Sequence, residues 1–365
     1  MDINMGSGTK IAVIIGQLAG DGTERQLYSF LVNCDRSRWT PMVYVSGALG
    51  PWYDPICELG IPVILLQGNP VMKLWQFRKL CRSYGIRRFF SWSYYTNGYS
   101  LALLGLNIPC IGSYRTVYSP RLFSHYKRML SRLGFVAVST VVCNSQETAA
   151  AIGRQVGDRK RVIYVPNSVQ PVNDMASCRT AWRQRLGISA NEVLILGVGR
   201  LTALKNFARF IEAVASVHQT IPVRAVVAGR DDGCLRGLEQ QIAEAGLEPG
   251  VIRFIGPVPD ARELMSAADI FVLSSEYEGM PNVVMEAMIA GVPCVSTKVN
   301  GVGALIENGI NGFITKHRAA ALSEKILLLV KDKQLRENMG AKAAAHMKAS
   351  FDSKDVAARL WQLCD

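Results

Sequence analysis

The chain has 365 residues, 49% hydrophobic and 19% charged, enough apolar material for two sizeable cores and too much for a disordered chain. Its formal net charge of +12 is lopsided: residues 1–170 hold 19 Lys and Arg against eight Asp and Glu, whereas residues 171–365 hold 22 against 21. Nine cysteines form no Cys-x-x-Cys pair and no tight cluster with His, so neither a zinc site nor a disulfide framework is expected, and reduced thiols in a cytosolic compartment are.

At the amino end, Lys10 leads directly into a short apolar strand, Ile11–Ile15, without the basic flank, long apolar stretch and small-residue cleavage site of a secretory leader. No apolar run approaches the roughly 18–20 residues needed to span a bilayer, so neither export nor a membrane-spanning segment is expected. The first strand runs into Gly16-Gln17-Leu18-Ala19-Gly20-Asp21-Gly22-Thr23-Glu24-Arg25-Gln26. This is a Gly-rich strand-to-helix turn. Gly20 and Gly22 permit close backbone approach on either side of Asp21, and Thr23 is placed to cap a helix over 25–33 with Gln26 three residues on. Further strands are expected at 42–45, 63–66, 89–92, 110–113 and 140–143, with helices between them.

Between Glu58 and Glu147 there is no acidic residue, yet the window holds Lys73, Arg78, Lys79, Arg82, Arg87, Arg88, Arg115, Arg121, Lys127, Arg128 and Arg132. Such a field attracts nucleic acid, an anionic membrane surface or a phosphorylated substrate. In 71–84 the apolar residues Leu74, Trp75, Phe77, Leu80, Cys81 and Tyr84 recur near helical spacing among Lys73, Lys79 and Arg82, and 122–133 repeats the pattern. Basic amphipathic helices with aromatics suit a membrane interface. The plain alternative is two core-facing helices with basic outer faces. The missing acids favour the interface, because an ordinary solvated face mixes both signs.

The second half repeats the alternation, with strands expected at 193–198, 223–228, 252–255, 270–273, 294–297 and 312–314. Helices are expected at 207–218, 235–245, 261–267, 282–290 and 319–330. A last helix spans roughly 334–363 and breaks near Phe351-Asp352. Alternation of this kind argues for doubly wound parallel sheets that bind ligands at the carboxyl ends of their strands. Two segments then carry chemistry. Gly199-Arg200-Leu201-Thr202-Ala203-Leu204-Lys205-Asn206 places two cations in a strand-to-helix turn, and Glu278-Gly279-Met280-Pro281-Asn282 to Glu286-Ala287-Met288 places two carboxylates eight residues apart, one before a turn and one inside a helix. Pro281 suits the first turn of that helix, where it sacrifices no hydrogen bond.

The Glu278–Glu286 pair in its Glu-Gly-x-Pro setting, the Gly199-Arg200…Lys205-Asn206 segment and the hinge-like Val165-Pro166-Asn167-Ser168-Val169 together resemble the family 4 glycosyltransferases. The resemblance covers most of the chain. It implies the GT-B fold, an α/β architecture of two Rossmann-like doubly wound parallel-sheet domains facing a central cleft, at residues 1–168 and 169–349, with a C-terminal helix at about 350–365 packing back on the first. It also implies transfer with retention from a nucleotide-sugar donor, UDP- or GDP-linked.

The catalytic residues so implied are Glu278, Arg200 and Lys205, the two cations binding the departing diphosphate, where an Arg fork and a Lys point charge suit phosphate oxygens. Glu278 would contact hydroxyls of the donor sugar and Glu286 the ribose diol, since acceptor-only carboxylate oxygens suit paired hydroxyls. The backbone of Gly279, Met280, Pro281 and Asn282 would line the phosphates or sugar, with Met280 and Asn282 as donors because proline has no N–H. Gly256, Val258 and Arg230 would pass the nucleobase. Gly20, Asp21, Gly22 and Thr23 would form the acceptor or phosphate loop, with Asp21-Gly22 in place of the family's usual Gly pair.

Many relatives carry a first-domain His near the donor sugar, whereas this chain reads Ile111-Gly112-Ser113-Tyr114-Arg115-Thr116-Val117-Tyr118. Arg115 stands there and cannot act as a base at physiological pH. His125 is nearby in sequence but sits among basic residues, and His218 and His317 have no motif around them. No Asp-x-Asp occurs, and Asp231-Asp232 lacks the usual spacing, so no cofactor and no metal are expected. The expected acceptor is a glycan or lipid-linked precursor in polysaccharide or lipopolysaccharide synthesis, met peripherally at the cytosolic face of an anionic membrane, with no nucleic acid bound. Three readings compete: a transferase acting on a small phosphorylated acceptor, a same-fold nucleotide-sugar epimerase, and a basic nucleic-acid-binding protein.

Overall fold

The structure is a computed structural model and describes residues 8–20, 22–116 and 133–365. The chain divides into two compact units, Met1–Ser168 with Ser353–Asp365, and Val169–Asp352. Asp21 and the second basic stretch, with Arg121, His125, Lys127, Arg128 and Arg132, lie outside the described residues.

The first unit is a parallel sheet of β1 (Thr9–Ile15), β2 (Trp39–Val45), β3 (Val63–Leu65), β4 (Arg88–Ser91), β5 (Cys110–Tyr114), β6 (Thr140–Cys143) and β7 (Arg161–Tyr164), in the order β3-β2-β1-β4-β5-β6-β7. At its centre Val13 lies opposite Val43 on one side and Phe90 on the other. Both faces of β1 are buried: Ile11, Val13 and Ile15 enter one core, Ala12 and Ile14 the other, as the period of two requires in a sheet covered on both sides. Six strands are expected from the sequence and seven form. The seventh is an edge strand whose Arg161 is exposed and whose other residues are only half-buried, so it lacks the apolar run that marks the rest. A 3-10 helix, Tyr94–Leu103, follows β4 and starts after Ser93, whose N–H donates to the Thr96 hydroxyl at 3.3 Å.

The helix Ser353–Gln362 belongs to this unit and is separate from Lys333–Ser350. Trp361 stacks on Phe30 with ring centroids 4.0 Å apart, and its indole nitrogen donates to the Phe30 carbonyl at 3.1 Å.

The second unit is a parallel sheet of β8 (Leu194–Val198), β9 (Arg224–Ala228), β10 (Ile252–Phe254), β11 (Ile270–Leu273), β12 (Cys294–Thr297) and β13 (Gly312–Thr315), ordered β10-β9-β8-β11-β12-β13. Leu194 and Leu196 enter one core while Ile195 enters the other. The helix Met175–Leu186, not anticipated from the sequence, buries Trp182, Arg183 and Leu186. In both sheets the strand order reverses beside the first strand, at β1/β4 and at β8/β11. Ligands of doubly wound sheets lie outside the carboxyl ends of the strands at such a reversal. Among the described residues no helix is long and apolar enough to cross a membrane. All nine cysteines are free thiols.

Candidate active site

In the second unit the loops after β8 and β11 flank the reversal, and they carry the sequence's two chemical segments. The backbone must be bare where the strands end: a Cβ on Gly229 would sit 1.8 Å from the Gly199 carbonyl oxygen. The two loops are stitched together. Glu276 N donates to Leu204 O at 2.8 Å, and the Ser274 hydroxyl donates to Lys205 O at 2.9 Å. This holds Lys205 Nζ 2.6 Å from Glu278 Oε1, which also accepts from the Ser275 hydroxyl at 2.7 Å. The predicted cation and the predicted carboxylate are therefore direct partners.

A supporting network was not read from the sequence. Asn206 adopts a left-handed φ of 48° at the N-cap of the helix Phe207–His218; its side chain accepts from Arg209 N at 3.1 Å and donates to Glu276 at 2.7 Å. Arg209 bonds the same Glu276 oxygen and donates to Ser274 O at 2.8 Å. His317 Nδ1 lies 3.2 Å from the other Glu276 oxygen. Burial pushes the Glu276 carboxyl up, but the hydrogen bonds from Asn206 and Arg209, with the charges of Arg209 and His317, outweigh it and hold it below the ordinary value. The signal available in the sequence was the Asn206–Arg209 capping interval; Glu276 is joined to it only by the fold.

Arg200 and Arg230 converge on Asp232, at 3.2 and 2.8 Å. Its neighbour Asp231 instead accepts from the backbone N–H groups of Gly233, Cys234 and Leu235, at the start of the helix Leu235–Glu244. Glu286 is only 5% exposed, on the helix Asn282–Ile289, and its charge contributes to holding the Arg262 guanidinium above its ordinary value, behind the hydrogen bonds that Arg262 donates to Asp260. Pro281 is the N-cap residue of that helix rather than its first helical position. Its φ is −76° and ψ 101°, and its carbonyl accepts from Val284 N and Met285 N. The extended ψ before Asn282 is what moves the helix start by one residue. Gly279 and Met280 pack against Gly301, where a Cβ would lie 2.7 Å from Gly279 O. Gly256, with φ of 70°, follows β10 and its carbonyl accepts from Gly229 N at 2.9 Å, while Val258 packs half-buried on the core. Arg200, Lys205, Arg230, Glu278 and Glu286 thus share one unit, on the segments following β8, β9 and β11.

The first unit holds the remaining candidates. Gly16 ends β1 against Tyr95, whose ring would lie 2.2 Å from an added Cβ, and Gly20 faces open space. The first helix starts at Gly22, so Thr23 lies within its opening turn and does not cap it. The Thr23 carbonyl accepts from the Trp92 indole N–H at 3.0 Å. The Gln26 side chain is buried and bonds both the N–H and the carbonyl of Ser168, each at 2.8 Å. Arg115, just after β5, stacks on Trp92 with its guanidinium carbon 3.9 Å from the ring centroid. Its Nη1 donates to Asn167 Oδ1 at 3.3 Å.

Two family models match almost end to end. Residues 20–172 match the model described as Glycosyltransferase Family 4, and residues 179–346 match Glycosyl transferases group 1. The chain belongs to glycosyltransferase family 4. Within that family, N-acetyl-alpha-D-glucosaminyl L-malate synthase of Bacillus anthracis is 26% identical over 48% of this chain and 46% of its own length. Lipopolysaccharide core biosynthesis glycosyltransferase LpsE of Rhizobium meliloti is 25% identical over 67% of this chain and 74% of its own. The chain spans about half the length of most curated relatives it matches. Among solved structures, Anabaena HepE in complex with UDP and glucose superposes with a TM-score of 0.86 at 24% identity, over 97% of this chain and 99% of HepE. The architecture of the family member described here is accordingly GT-B, with two Rossmann-like parallel-sheet domains.

Proposed function

We propose that this protein is a retaining, metal-independent glycosyltransferase that moves a sugar from a nucleoside-diphosphate sugar to a glycan or lipid-linked acceptor at the cytosolic face of a membrane. The observation that carries the reading is the Lys205–Glu278 pair, 2.6 Å apart across the two loops beside the β8/β11 reversal, with Arg200 on the first of those loops and Glu286 on the helix that follows the second. A departing nucleoside diphosphate gathers negative charge, and Lys205 and Arg200 are positioned on a strand-to-helix turn to stabilise it. Diphosphate oxygens compete with Glu278 for the Lys205 ammonium. Once released, Glu278 has free acceptor oxygens for sugar hydroxyls. Retention follows from front-side attack, with the acceptor hydroxyl passing its proton to the departing phosphate, a route that requires no protein base.

The acceptor side rests on the first unit. On the helix Pro70–Ser83, Val71, Met72 and Trp75 are 75%, 57% and 66% exposed, Lys79 lies over the Trp75 ring, and Arg82 and Arg87 are exposed nearby in sequence. Exposed aromatic and apolar groups beside unopposed cations fit an anionic bilayer surface, each such cation contributing about 1 kcal/mol close to it. LpsE is named for lipopolysaccharide core biosynthesis and the Bacillus synthase for a malate product, which supports an anionic acceptor of either kind.

One experiment tests both halves. The purified chain is assayed for sugar release from UDP- and GDP-sugars, with and without EDTA, beside flotation with phosphatidylglycerol and phosphatidylcholine vesicles. UDP-glucose is the first donor to try, because HepE has been solved with UDP and glucose. The expected result is EDTA-resistant turnover of one donor, with flotation on the anionic vesicles that weakens in Trp75→Ser. Turnover without flotation would leave the transferase acting on a small acceptor, and no turnover with any donor would overturn the reading.

A further inference from the structure

Arg115 follows β5 and meets residues that follow the neighbouring strands: Trp92 after β4, Asn144 after β6 and Asn167 after β7. The guanidinium plane is fixed from two sides. Trp92 stacks against it and is itself held by its bond to Thr23 O, while Asn167 takes Nη1. What remains are Nε and Nη2, both buried and without a hydrogen-bond partner among the described residues. These two donors lie side by side along one edge of the guanidinium. That edge matches the spacing of two oxygens of a carboxylate or a phosphate.

Among the described residues the charge is equally unanswered. Burial pushes the Arg115 pKa down to about 9, and among the described residues the one group acting against it is the Cys143 thiol. Even so shifted, the side chain is cationic at neutral pH. A buried, charged fork with two idle donors is costly to maintain unless something external completes it. Asn144 adds a neutral partner. Its amide donates weakly to Arg115 O and Asn167 Oδ1, at 3.4 and 3.5 Å, leaving a buried Oδ1 with no partner. An idle acceptor beside an idle fork suits a hydroxyl next to an anion.

We infer that Arg115 is the anion-recognition residue of the first unit, gripping side-on, through Nε and Nη2, a carboxylate or phosphate monoester carried by the acceptor. The anion site stands on this cluster alone; its assignment to the acceptor rests on the transferase reading. The charge that the sequence places where relatives have a His then serves binding, not proton transfer.

The test reads Arg115 directly. In protein labelled with 15N-arginine, the Arg115 Nε–H resonance is identified by its loss in Arg115→Lys and followed during titration with inorganic phosphate, acetate or chloride at matched ionic strength. A saturable shift with phosphate alone identifies a phosphate site, and one with acetate identifies a carboxylate site. A response no greater than that to chloride overturns the inference. The titration is repeated in Lys205→Ala, which removes the cation proposed to bind phosphate in the second unit, and the same response is expected because the anion is held by Arg115. With a donor and acceptor in hand, Arg115→Lys keeps the charge but loses the fork, and should raise the acceptor KM roughly tenfold or more with the donor KM unchanged. A change confined to the donor KM would overturn the acceptor assignment. A saturable Arg115 response in a protein without transferase activity would instead sink the transferase reading and leave the anion site standing.

Discussion

In the second unit cation after cation is answered by a carboxylate: Arg179 and Arg183 by Asp269, Arg224 by Glu192, Arg200 and Arg230 by Asp232, Lys205 by Glu278 and Arg209 by Glu276. In the first unit Arg38 pairs with Asp365, but Lys73, Arg78 and Arg88 donate to main-chain oxygens, Arg115 lies half-buried beside neutral groups, and Lys79, Arg82 and Arg87 face solvent. The near-balanced and the basic halves of the chain thus differ in how charge is used, not only in how much there is. Where each cation already has a carboxylate, an incoming diphosphate exchanges one anion for another and the empty site is not left with an unpaired desolvated charge. Where the cations are unanswered, the anion has to come from outside.

Two arginines, Arg183 buried and Arg115 half-buried, put that contrast to its hardest test. Arg183 bonds Asp269 and the carbonyls of Ala267, Ser189 and Glu192, so Arg183→Met leaves three carbonyls without that donor and takes one of Asp269's two cations, and should cost about 3–5 kcal/mol. Arg115→Met removes an unanswered charge; the stacking and hydrogen bond it loses are offset by relief of desolvation, and stability should change by no more than about 1 kcal/mol in either direction. Urea unfolding of the full chain measures both. Equal losses would mean that Arg115 is as structurally committed as Arg183, and the comparison would break.

At the second unit's site the same logic separates charge balance from chemistry. Lys205→Ala removes the ammonium that a departing diphosphate would meet and should lower kcat/KM for the nucleotide sugar by about 10²–10³. It also strands Glu278, so the thermal midpoint should fall. Adding Glu278→Ala should restore the midpoint without restoring turnover. Recovery of turnover in the double variant would show that Lys205 serves only to neutralise Glu278.

Both sheets were legible because strands buried on two faces read as short apolar runs between turn residues, as Ile11–Ile15 and Ile270–Leu273 do. The edge strand Arg161–Tyr164 and the helix Met175–Leu186 were not. In the helix, Arg179 and Arg183 send their charged heads to Asp269, so its buried face carries polar residues that dilute the periodicity. Motif residues were legible as types, while their pairings were not. Lys205 and Glu278 are separated by 73 positions, and only the reversal of strand order between β8 and β11 makes them neighbours. Arg115 was singled out in the sequence only through the family resemblance, which implies a His there in many members; its idle donors appear only once Trp92, Asn144 and Asn167 are assembled around it.

The smallest expected effect concerns acid. The backbone N–H of Ser189 and then the Arg224 side chain pull the Glu192 carboxyl from 4.5 down to about 2. A group depressed in the folded state contributes stability that is fully present above its unfolded value and lost as pH falls through the folded one, so this contribution is whole near pH 5 and drains away between about 4.5 and 2. Asp231, Asp232 and Glu276 are also depressed and lie in the same unit. Hydrogen exchange followed as pH is lowered should therefore show protection failing in β8–β13 before β1–β7, and Glu192→Gln should flatten the second unit's dependence on pH. The change will be modest, because Arg224 and Glu192 are about two-fifths and one-third exposed and water screens their attraction. Raising the salt should shrink the Arg224 share and spare the Ser189 share, since a backbone hydrogen bond is local and an exposed ion pair is screened. If protection failed first in β1–β7, the carboxylates that answer the second unit's cations could not be what makes that unit sensitive to acid.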